Sequence, residues 1–493
     1  MSILESRDIP SVRIRKLNEI AANSSKSFVL YWMTAFRRTR SNFAMQRAVY
    51  LAEKLRKPLV IMEGLRCNYR WACDRFHQFI LDGMQDNAAA IESTNALYCS
   101  YVEPRANDGH GLMETLSKEA CAIVSDDFPC FFHPALYDRI ASKWSCSVEL
   151  VDSNTIVPMR SADRTFTVAH SYRRYMQKEF YRETPEFPVE QPLDFLTTPR
   201  LKSLPKNITS KWDLGIGSNA KVSLSKIKLA SLPIDHVVSQ CEEKGGQVQA
   251  DQVLNRFVQK RLANYSVARN EPEKEGSSWL SPYMHFGQVS PHDVFSQLAT
   301  ATQWKHSKLA KPNGKMDGFW NMGDNAEAFI DQLLTWREIG FNMCWRESNF
   351  NRFESLPTWA QTTLCEHEKD EREWIYELEQ FDRGETHDPL WNAAQMQLVR
   401  EGRIHNYLRM LWGKKILHWS SSPQKALKTM IHLNNKYALD GRDPNSYSGI
   451  FWVLGRYDRA WGPERPIFGK VRYMTSDSTQ KKFRVKEYMR KYN

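Results

Sequence analysis

FVLYWM, residues 28–33, is a run of six apolar residues, and four further apolar runs follow it: PLVIME at 58–63, ALYCSYV at 96–102, CAIVSDD at 121–127 and CSVELVD at 146–152. Their length and composition are typical of buried strands. The stretches between them carry apolar residues at helical spacing, at 42–56, 69–86, 111–120 and 134–143. Such an alternation predicts an α/β domain with a doubly wound parallel sheet, which we place at residues 1–182.

The rest of the chain changes character twice. Residues 183–246 are polar and interrupted by prolines, which predicts an interdomain linker. Strand signals nearly vanish beyond Gln247, and residues 247–493 are expected to form an all-α domain. Its helical patterns cover 247–268, 325–345, 391–418 and 423–437. The α/β part lacks a GxGxxG motif, so the predicted fold alone indicates no ligand.

Composition limits the classes of function. The 493 residues hold 68 Lys and Arg against 57 Asp and Glu, a net charge of +11 that would attract phosphate-rich partners. Nine cysteines without a CxxC pair or zinc-finger spacing predict reduced intracellular thiols and no metal site. No stretch is typical of a secretory signal or a membrane span. We therefore expect a cytoplasmic protein, or a nuclear one if the cell has a nucleus.

Two segments carry side chains suited to a cofactor site. SSWLSPYMHFGQVSP, residues 277–291, places hydroxyls and a proline ahead of a helix, where hydroxyls and backbone N–H groups can hold phosphate. Taken alone, this loop is better explained as an ordinary helix cap. DQLLTWREIGFN, residues 331–342, sets Trp336, Arg337 and Glu338 in an apolar helix. Taken alone, that segment indicates a core helix with one ion pair.

The C-terminal third holds the most specific sequence signal, in the motifs HDPLWNAAQ at 387–395, GRIHNYLRMLWGKKILHWS at 402–420, LNNKYALDGRDPNSYSGIFW at 433–452 and DRAWGPERPIFGKVRYM at 458–474. A helical Arg409 and a turn Asp440 could pair there. Trp412 and Trp419 are seven residues apart on one predicted helix, so they share a face and are separated by about 10.5 Å of rise. Tryptophans at helical spacing are more often core residues than electron carriers.

Together these motifs resemble the photolyase and cryptochrome family, and the C-terminal stretch is similar to class II cyclobutane pyrimidine dimer DNA photolyases almost throughout. The resemblance covers nearly the whole chain. It implies FAD in the helical domain, damaged DNA as the partner, a monomer, and no metal or membrane. It also implies an antenna chromophore site in the N-terminal domain, and the sequence leaves open whether that site holds a folate, a deazaflavin or nothing.

The resemblance assigns FAD binding to residues that match the family's motifs: Tyr265, Ser277, Ser278, Leu280, Ser281, Arg337, Arg409, Asn434, Asp440 and Asn445. Asn434 is assigned to flavin N5, and Asn445 is the second candidate for that position. An amide there can accept or donate a hydrogen bond as the redox state changes. The Arg409–Asp440 pair would restrain the flavin ring and balance its anionic reduced form.

The resemblance also implies two electron-transfer events. In repair, light-excited reduced FAD lends one electron to the dimer, two C–C bonds break, and the electron returns. Dimer contacts are assigned to Gln332, Trp336, Met410 and Trp452, with the dimer flipped out of the DNA stack. In photoreduction of oxidised flavin, Trp412 lies beside the cofactor, Trp391 relays to the surface and Trp419 is a side branch.

The chain departs from the family pattern at two places. Gln332 stands where class II enzymes usually carry a glutamate that bonds the dimer, and an amide cannot deliver a proton, which predicts slower or altered repair. The turn within residues 452–462 is one residue shorter than usual, with Tyr457 where a histidine is common. Altered geometry on the lesion side is therefore expected.

Three functions remain open on the sequence alone. The first is light-driven repair of cyclobutane dimers by a carbon–carbon lyase. The second is a cryptochrome-like blue-light sensor that keeps FAD and its tryptophans without repairing DNA, which Gln332 suggests. The third is a plain nucleotide-binding α/β protein with a helical appendage, which would be colourless when purified.

Overall fold

The computed structural model describes residues 8–183, 185–274 and 276–493, which divide into two compact units. The first unit holds residues 8–161, 185–255 and 280–296, and the second holds 162–183, 256–274, 276–279 and 297–493. The units therefore alternate along the chain, whereas the sequence predicts three consecutive segments. Small parts of the predicted first domain and linker, residues 1–7 and Thr184, lie outside the described residues.

The segment predicted as a linker contributes to the core of the first unit. Leu204, Ile208 and Trp212 are buried in the same apolar cluster as the strands Phe28–Met33 and Leu97–Val102. Their burial removes apolar surface from water. The sequence of this segment does not predict its contribution to the core, because it is polar and rich in proline, and its apolar residues are sparse and follow no regular period.

The described part of the first unit contains one seven-stranded sheet with the strand order β1-β6-β5-β2-β3-β4-β7. Strands β2 to β6 are parallel to their neighbours, and β1 and β7 pair antiparallel at the two edges. This confirms the predicted α/β class, and the five apolar runs are the five parallel strands. The strands are β1 Ile14–Lys16, β2 Phe28–Met33, β3 Leu59–Leu65, β4 Leu97–Val102, β5 Ala120–Asp126, β6 Val148–Val151 and β7 Gly215–Ile216.

The carboxyl ends of β2 and β5 are joined through one buried side chain. Asp126 accepts hydrogen bonds from the backbone N–H groups of Thr34, Ala35 and Phe36 at 2.7–2.9 Å. Its second oxygen accepts the Tyr31 hydroxyl at 2.7 Å. A buried carboxylate is costly unless it is fully hydrogen-bonded. These bonds stabilise Asp126 and fix the loop that follows β2.

Helices make up most of the second unit, and in the first unit helices alternate along the chain with the strands of the sheet. In chain order they are α1 Phe43–Leu55, α2 Asp74–Glu92, α3 Leu112–Glu119, α4 His133–Lys143, α5 Ala169–Arg182, α6 Lys206–Thr209, α7 Asn219–Ser225, α8 Gln247–Arg256, α9 Tyr265–Ala268, α10 Ser281–His285, α11 Pro291–Ala301, α12 Asp324–Ile330, α13 Arg337–Arg346, α14 Thr358–Glu366, α15 Leu378–Arg383, α16 Pro389–Glu401, α17 Asn406–Trp419, α18 Pro423–Tyr437, α19 Pro444–Val453, α20 Ser476–Lys482 and α21 Lys486–Tyr492. A search for membrane-spanning helices among the described residues finds none.

Three predicted helices differ from the structure in instructive ways. The pattern over 247–268 is interrupted between α8 and α9 by a π-helical segment, Phe257–Arg261, and a 3-10 turn, Leu262–Asn264. The pattern over 391–418 is two helices, α16 and α17, because Gly402 takes a left-handed φ of 68° and ends α16. The pattern over 325–345 is interrupted by a π-helical segment, Asp331–Trp336, between α12 and α13. Such segments shift the side-chain register within a helix and are frequent at functional sites. The pattern over 423–437 matches α18 from end to end.

Helices α13 and α19 cross at very close range. A Cβ added to Gly340 would lie 2.5 Å from the carbonyl oxygen of Pro444, at the start of α19. Backbone atoms cannot yield as a flexible side chain can, so this crossing requires glycine. The contact brings the WRE segment and the C-terminal motif helix together.

We expect Gly340→Ala to lower the free energy of unfolding by about 1–3 kcal/mol, because the added methyl group overpacks the crossing. Gly449→Ala, in the middle of α19, is the matched control, because its Cβ would meet no atom within 4 Å. The control should stay within about 1 kcal/mol of the parent or be more stable. Urea unfolding followed by circular dichroism measures both, and equal effects of the two variants would contradict the proposed steric role.

Candidate active site

Three tryptophans of the C-terminal motifs form a buried series in the second unit. Trp391 and Trp419 have ring centroids 6.0 Å apart with planes at 74°. The Trp391 Nε1–H donates to the backbone carbonyl of Trp412 at 3.0 Å. Their exposed fractions are 0% for Trp391 and 2% for each of the other two. The structure therefore brings the three predicted electron carriers together and buries Trp391, which the resemblance describes as a relay to the surface.

Polar groups hold these rings in place. The Trp412 Nε1–H donates to the side-chain oxygen of Gln395 at 2.9 Å. Asp388 accepts the backbone N–H of Leu390 and of Trp391, capping α16, and its carboxylate also lies 3.3 Å from the ammonium of Lys415. Both indole N–H groups of the α16–α17 contact are thus satisfied in a dry interior, as buried donors require. Gln395, part of the quoted motif HDPLWNAAQ, was not singled out from the sequence.

A second pair of tryptophans is stacked face to face. Trp336, at the end of the π-helical segment, and Trp452, in α19, have ring centroids 4.2 Å apart and planes within 11° of parallel. Both side chains are half-buried. The π-helical segment and the α13–α19 crossing together set this arrangement. Two residues predicted to contact the dimer are therefore direct neighbours.

The remaining predicted lesion contacts belong to the same unit. Gln332 is half-buried in the π-helical segment, and Met410 is half-buried in α17. Asp331, the residue before Gln332, is buried and pairs with Arg173 at 2.6 Å, which anchors the π-helical segment. Tyr457, noted as a departure from the family, is buried with a left-handed φ of 67°. Burial raises the pKa of its hydroxyl, so Tyr457 stays neutral where a histidine could titrate.

The serine-rich turn packs tightly against α9. A Cβ added to Gly276 would lie 2.3 Å from the carbonyl carbon of Ala268, so only glycine permits this approach. Ser277 and Ser278 follow and are half-buried. Tyr265 begins α9 and is buried edge-on against Phe257 and Phe329. The turn and the predicted tyrosine thus belong to one packed feature of the second unit.

Two further residues of this predicted set belong to the first unit. Leu280 is fully buried, and Ser281 is the first residue of α10, with Pro282 in its first turn. A proline is well tolerated there because its missing N–H would have no helical partner. The loop therefore leads into a short helix, but its N-cap residue, Leu280, makes no side-chain capping bond, so the structure does not show the helix cap that the sequence alone suggested.

Trp279 contacts two arginine side chains that sequence reasoning missed. It has a left-handed φ of 63°. The guanidinium carbons of Arg261 and Arg403 lie 4.1 and 4.0 Å from the centre of its ring. Both guanidinium groups therefore lie within cation–π range of the same ring. The Arg261 guanidinium also donates to the Ser277 carbonyl at 3.5 Å, which sets positive charge beside the serine hydroxyls.

The Arg403 guanidinium is also fixed by an ion pair with a carboxylate. Glu401 accepts hydrogen bonds from Arg403 at 3.0 Å, from Lys491 at 2.9 Å and from the Tyr492 hydroxyl at 2.7 Å. Burial works to raise the pKa of Glu401, but these bonds and the charge of Arg403 outweigh it and lower the pKa to about 2. Glu401 therefore stays ionised and ties the C-terminal helix α21 to Arg403.

The predicted ion pair of Arg409 and Asp440 is present. The guanidinium contacts both carboxylate oxygens, at 3.1 and 3.4 Å.

Nearby in sequence, Asn434 is 4% exposed and donates through Nδ2 to the Ser446 hydroxyl at 2.6 Å. The amide nitrogen is thus occupied, which turns the carbonyl oxygen of Asn434 into the atom with which a further donor can bond.

The other two predicted cofactor residues have clear local contacts. Arg337 is 4% exposed, 4.6 Å above the Phe341 ring and 4.0 Å from the Glu338 carboxylate. Asn445 uses its backbone N–H to bond the Asp443 cap at 2.9 Å, and its carbonyl accepts the Ser448 hydroxyl. The bonds of Asn445 shape the first turn of α19, so its role toward a cofactor stays a prediction.

No family model matches this sequence, but whole-chain comparison is decisive. The chain is 31% identical to the deoxyribodipyrimidine photo-lyase of Methanothermobacter thermautotrophicus over 482 residues, covering 98% of each chain. It is 33% identical to that of Potorous tridactylus, covering 99% of this chain and 86% of the relative. The chain therefore belongs to the deoxyribodipyrimidine photo-lyase family. Cryptochrome-1 of Sinapis alba is 27% identical over 44% of this chain.

The fold agrees with this assignment. A bacterial class III photolyase from Agrobacterium tumefaciens aligns with a TM-score of 0.67, over 95% of this chain and 86% of that one. Sequence identity in that alignment is 17%, so the likeness concerns the fold alone. It confirms the predicted combination of an α/β part with a helical part.

Proposed function

We propose that this protein is a light-driven DNA repair enzyme of the class II kind, which splits cyclobutane pyrimidine dimers with an electron from photoexcited reduced FAD. The observation that carries the proposal is the similarity to photo-lyases over 98% of both chains. A partial match would have left the activity open. The similarity to a cryptochrome stops at less than half of the chain, which favours repair over sensing.

The donor groups around the serine-rich turn suit the pyrophosphate of FAD. Ser277 and Ser278 directly precede Trp279 and follow the tightly packed Gly276, and the guanidinium groups of Arg261 and Arg403 lie 4.1 and 4.0 Å from the centre of the Trp279 ring. Hydroxyls and arginine forks are the groups that bind phosphate oxygens best in proteins. Ser277, Ser278, Arg261 and Arg403 would hold the pyrophosphate, with Tyr265 packed behind the turn. Leu280 and Ser281 are proposed for the same role on the resemblance alone.

The flavin ring would be held by different residues. Asp440 keeps the Arg409 guanidinium in a fixed orientation, and the cation would balance the negative charge of a reduced flavin. Asn434, with its amide nitrogen bonded to Ser446, would accept a hydrogen bond from flavin N5 through its oxygen. Arg337 would lie near the cofactor and Asn445 stays the second candidate for N5. When bound, FAD supplies the light-absorbing group and the electron that the side chains do not.

The lesion would bind on the stacked tryptophans. A flat aromatic platform suits two pyrimidine rings, which gain stacking contact without a demand for one base identity. Trp336 and Trp452 provide that platform, Met410 adds a polarisable thioether, and Gln332 would donate a hydrogen bond to a pyrimidine carbonyl. An amide can stabilise a charged dimer by hydrogen bonding, but it cannot hand over a proton as a carboxylic acid can.

A basic aromatic patch supports DNA as the partner. Trp461 is 37% exposed, and the guanidinium groups of Arg459 and Arg472 lie 4.9 and 5.5 Å from its ring. Its indole nitrogen donates to Asp458, which fixes the ring at the surface. Arginines and an exposed ring together bind phosphate and unpaired bases. The net charge of +11 adds a long-range attraction to the same partner.

For the antenna chromophore we propose the aromatic cluster of the first unit. Tyr69 stacks on His77 with planes 2° apart, and Trp71 stacks on Phe131. These residues come after β3 and β5 in the chain, the two strands that flank β2 in the sheet. The chain runs outward from β2 in both directions, and α/β proteins commonly bind ligands at such a switch point. Trp71 and Phe131 both adopt left-handed φ values, 68° and 61°. The chemical class of the pigment is left open.

The decisive test is a repair assay on an oligonucleotide with one thymine dimer, using the reduced FAD-loaded protein. We expect repair in blue light and none in the dark. Trp452→Ala should weaken lesion binding about 5- to 100-fold, since a stacking ring contributes roughly 1–3 kcal/mol per base. Tyr181→Ala, an exposed ring on α5, is the control and should repair like the parent. Persistence of the dimer in the lit parent protein would favour the cryptochrome-like alternative.

Gln332→Glu should raise the quantum yield of repair, because a protonated carboxylic acid at this position could both bond and protonate the dimer anion. Gln332→Leu should lower it, because the hydrogen bond is lost. Quantum yield under limiting light measures both variants. A glutamate variant no faster than the parent would mean that position 332 takes no part in proton supply.

Arg403→Met should weaken FAD binding about 10- to 100-fold, since a bond to a charged group is worth roughly 1.5–3 kcal/mol. Binding of riboflavin, which lacks the pyrophosphate, should change little. Fluorescence titration measures both ligands. Arg383→Met removes only an exposed pair with Glu385 and serves as the control. Equal losses for FAD and riboflavin would show that Arg403 supports the fold and not the phosphates.

A further inference from the structure

The aromatic series continues beyond the predicted tryptophans. The backbone N–H of Tyr376 donates to the Trp419 carbonyl at 3.0 Å, and the two ring centroids are 5.7 Å apart. Trp374 follows at 6.4 Å from Tyr376, with ring planes 3° apart. Exposure rises along this path, from 2% at Trp419 through 7% at Tyr376 to 43% at Trp374. The path therefore leads from the buried indoles to solvent.

Tyr376 has a base within hydrogen-bond distance. Its hydroxyl lies 2.7 Å from Nδ1 of His387. The backbone N–H of His387 donates to the same phenol oxygen at 3.0 Å. In the tautomer whose Nδ1 carries no proton, the Tyr376 hydroxyl donates its own proton to that nitrogen. His387 is an exposed residue, so a proton taken up there has access to water.

A fixed positive charge lies beside Trp419. The Lys415 ammonium is 5.0 Å from the centre of its ring and pairs with Asp388 at 3.3 Å. A tryptophan that loses an electron becomes a cation, and the neighbouring ammonium repels that cation. The Asp388 carboxylate offsets part of this repulsion, so the main reason for the charge to leave Trp419 is a neighbouring group that can shed a proton.

We propose that Tyr376 and His387 form a proton-coupled redox site at the end of the tryptophan series. The proposal rests on the proposed function, because the oxidant is a photoexcited oxidised flavin that has drawn one electron from Trp419 through Trp391 and Trp412. Tyr376 then gives one electron to the Trp419 cation, which returns to its neutral form. In the same step the Tyr376 O–H bond breaks and an N–H bond forms at Nδ1 of His387. The products are a neutral tyrosyl radical and an imidazolium.

The step separates the positive charge from the aromatic series. The tyrosyl radical carries no charge, and the imidazolium can release its proton to water. Charge return to the flavin then requires the proton as well as the electron, which slows recombination. Trp374, stacked on His387 at 4.7 Å, provides the exposed ring at which an external thiol or other one-electron reductant can restore Tyr376.

Flash illumination of the full-length protein loaded with oxidised FAD tests the proposal. Time-resolved absorption and electron paramagnetic resonance should show a tryptophan radical that decays as a neutral tyrosyl radical rises, more slowly in D₂O than in H₂O. Tyr376→Phe should leave the tryptophan radical and remove the tyrosyl signal. His387→Gln keeps a polar acceptor but no base, and should slow tyrosyl formation about 100-fold.

Tyr488→Phe is the matched control, because Tyr488 is also buried and its hydroxyl donates to an amide oxygen, that of Gln397. It should give the parent tyrosyl yield. An unchanged tyrosyl signal in Tyr376→Phe, an unchanged rate in His387→Gln, or a parent protein without tyrosyl radical would each overturn the proposal. Dimer repair by the chemically reduced protein separates the two claims: repair without tyrosyl radical overturns only this site, and loss of both overturns the proposed function too.

Discussion

The hydrogen bond from the Trp391 indole to the Trp412 carbonyl sets the geometry on which the candidate site depends. Indole N–H groups that leave water must find an acceptor, because an unsatisfied buried donor costs about 1–3 kcal/mol. The Trp391 indole donates to a backbone carbonyl and the Trp412 indole donates to the side chain of Gln395. These two bonds fix α16 and α17 against each other at one register. The order of the aromatic series, from Trp412 outward, follows from that register.

The sequence predicts much of the fold because buried strands and helices require apolar residues at a regular spacing along the chain. Five apolar runs became the five parallel strands, and 423–437 became one helix. The edge strands β1 and β7 have three and two residues, too short for a periodic signal. The left-handed turn at Gly402 and the π-helical segment before Arg337 were not predicted, for another reason. Apolar residues continue at helical spacing across both features, and only the backbone hydrogen bonds distinguish them from a continuous α-helix.

The site was predictable where the family resemblance assigns both partners of a contact. The Arg409–Asp440 pair and the proximity of Trp336 to Trp452 belong to this class. Arg261 and Arg403 were missed because they meet only through Trp279, and 142 positions of sequence separate the two arginines, the difference of their residue numbers. Tyr376 was missed likewise, since its link to Trp419 is a backbone bond between a loop and a helix end. Tertiary geometry of this kind leaves no local pattern.

The stacked rings of Trp336 and Trp452 have an optical consequence. Two indoles 4.2 Å apart and nearly parallel share their electronic excitations, which gives paired bands of opposite sign in near-ultraviolet circular dichroism wherever the transition dipoles are skewed. Any molecule that slides between the rings or turns one of them uncouples the two chromophores. The protein thus carries an intrinsic spectroscopic reporter at the two tryptophans that we propose as lesion contacts, readable without a label and independent of the visible absorption of a flavin.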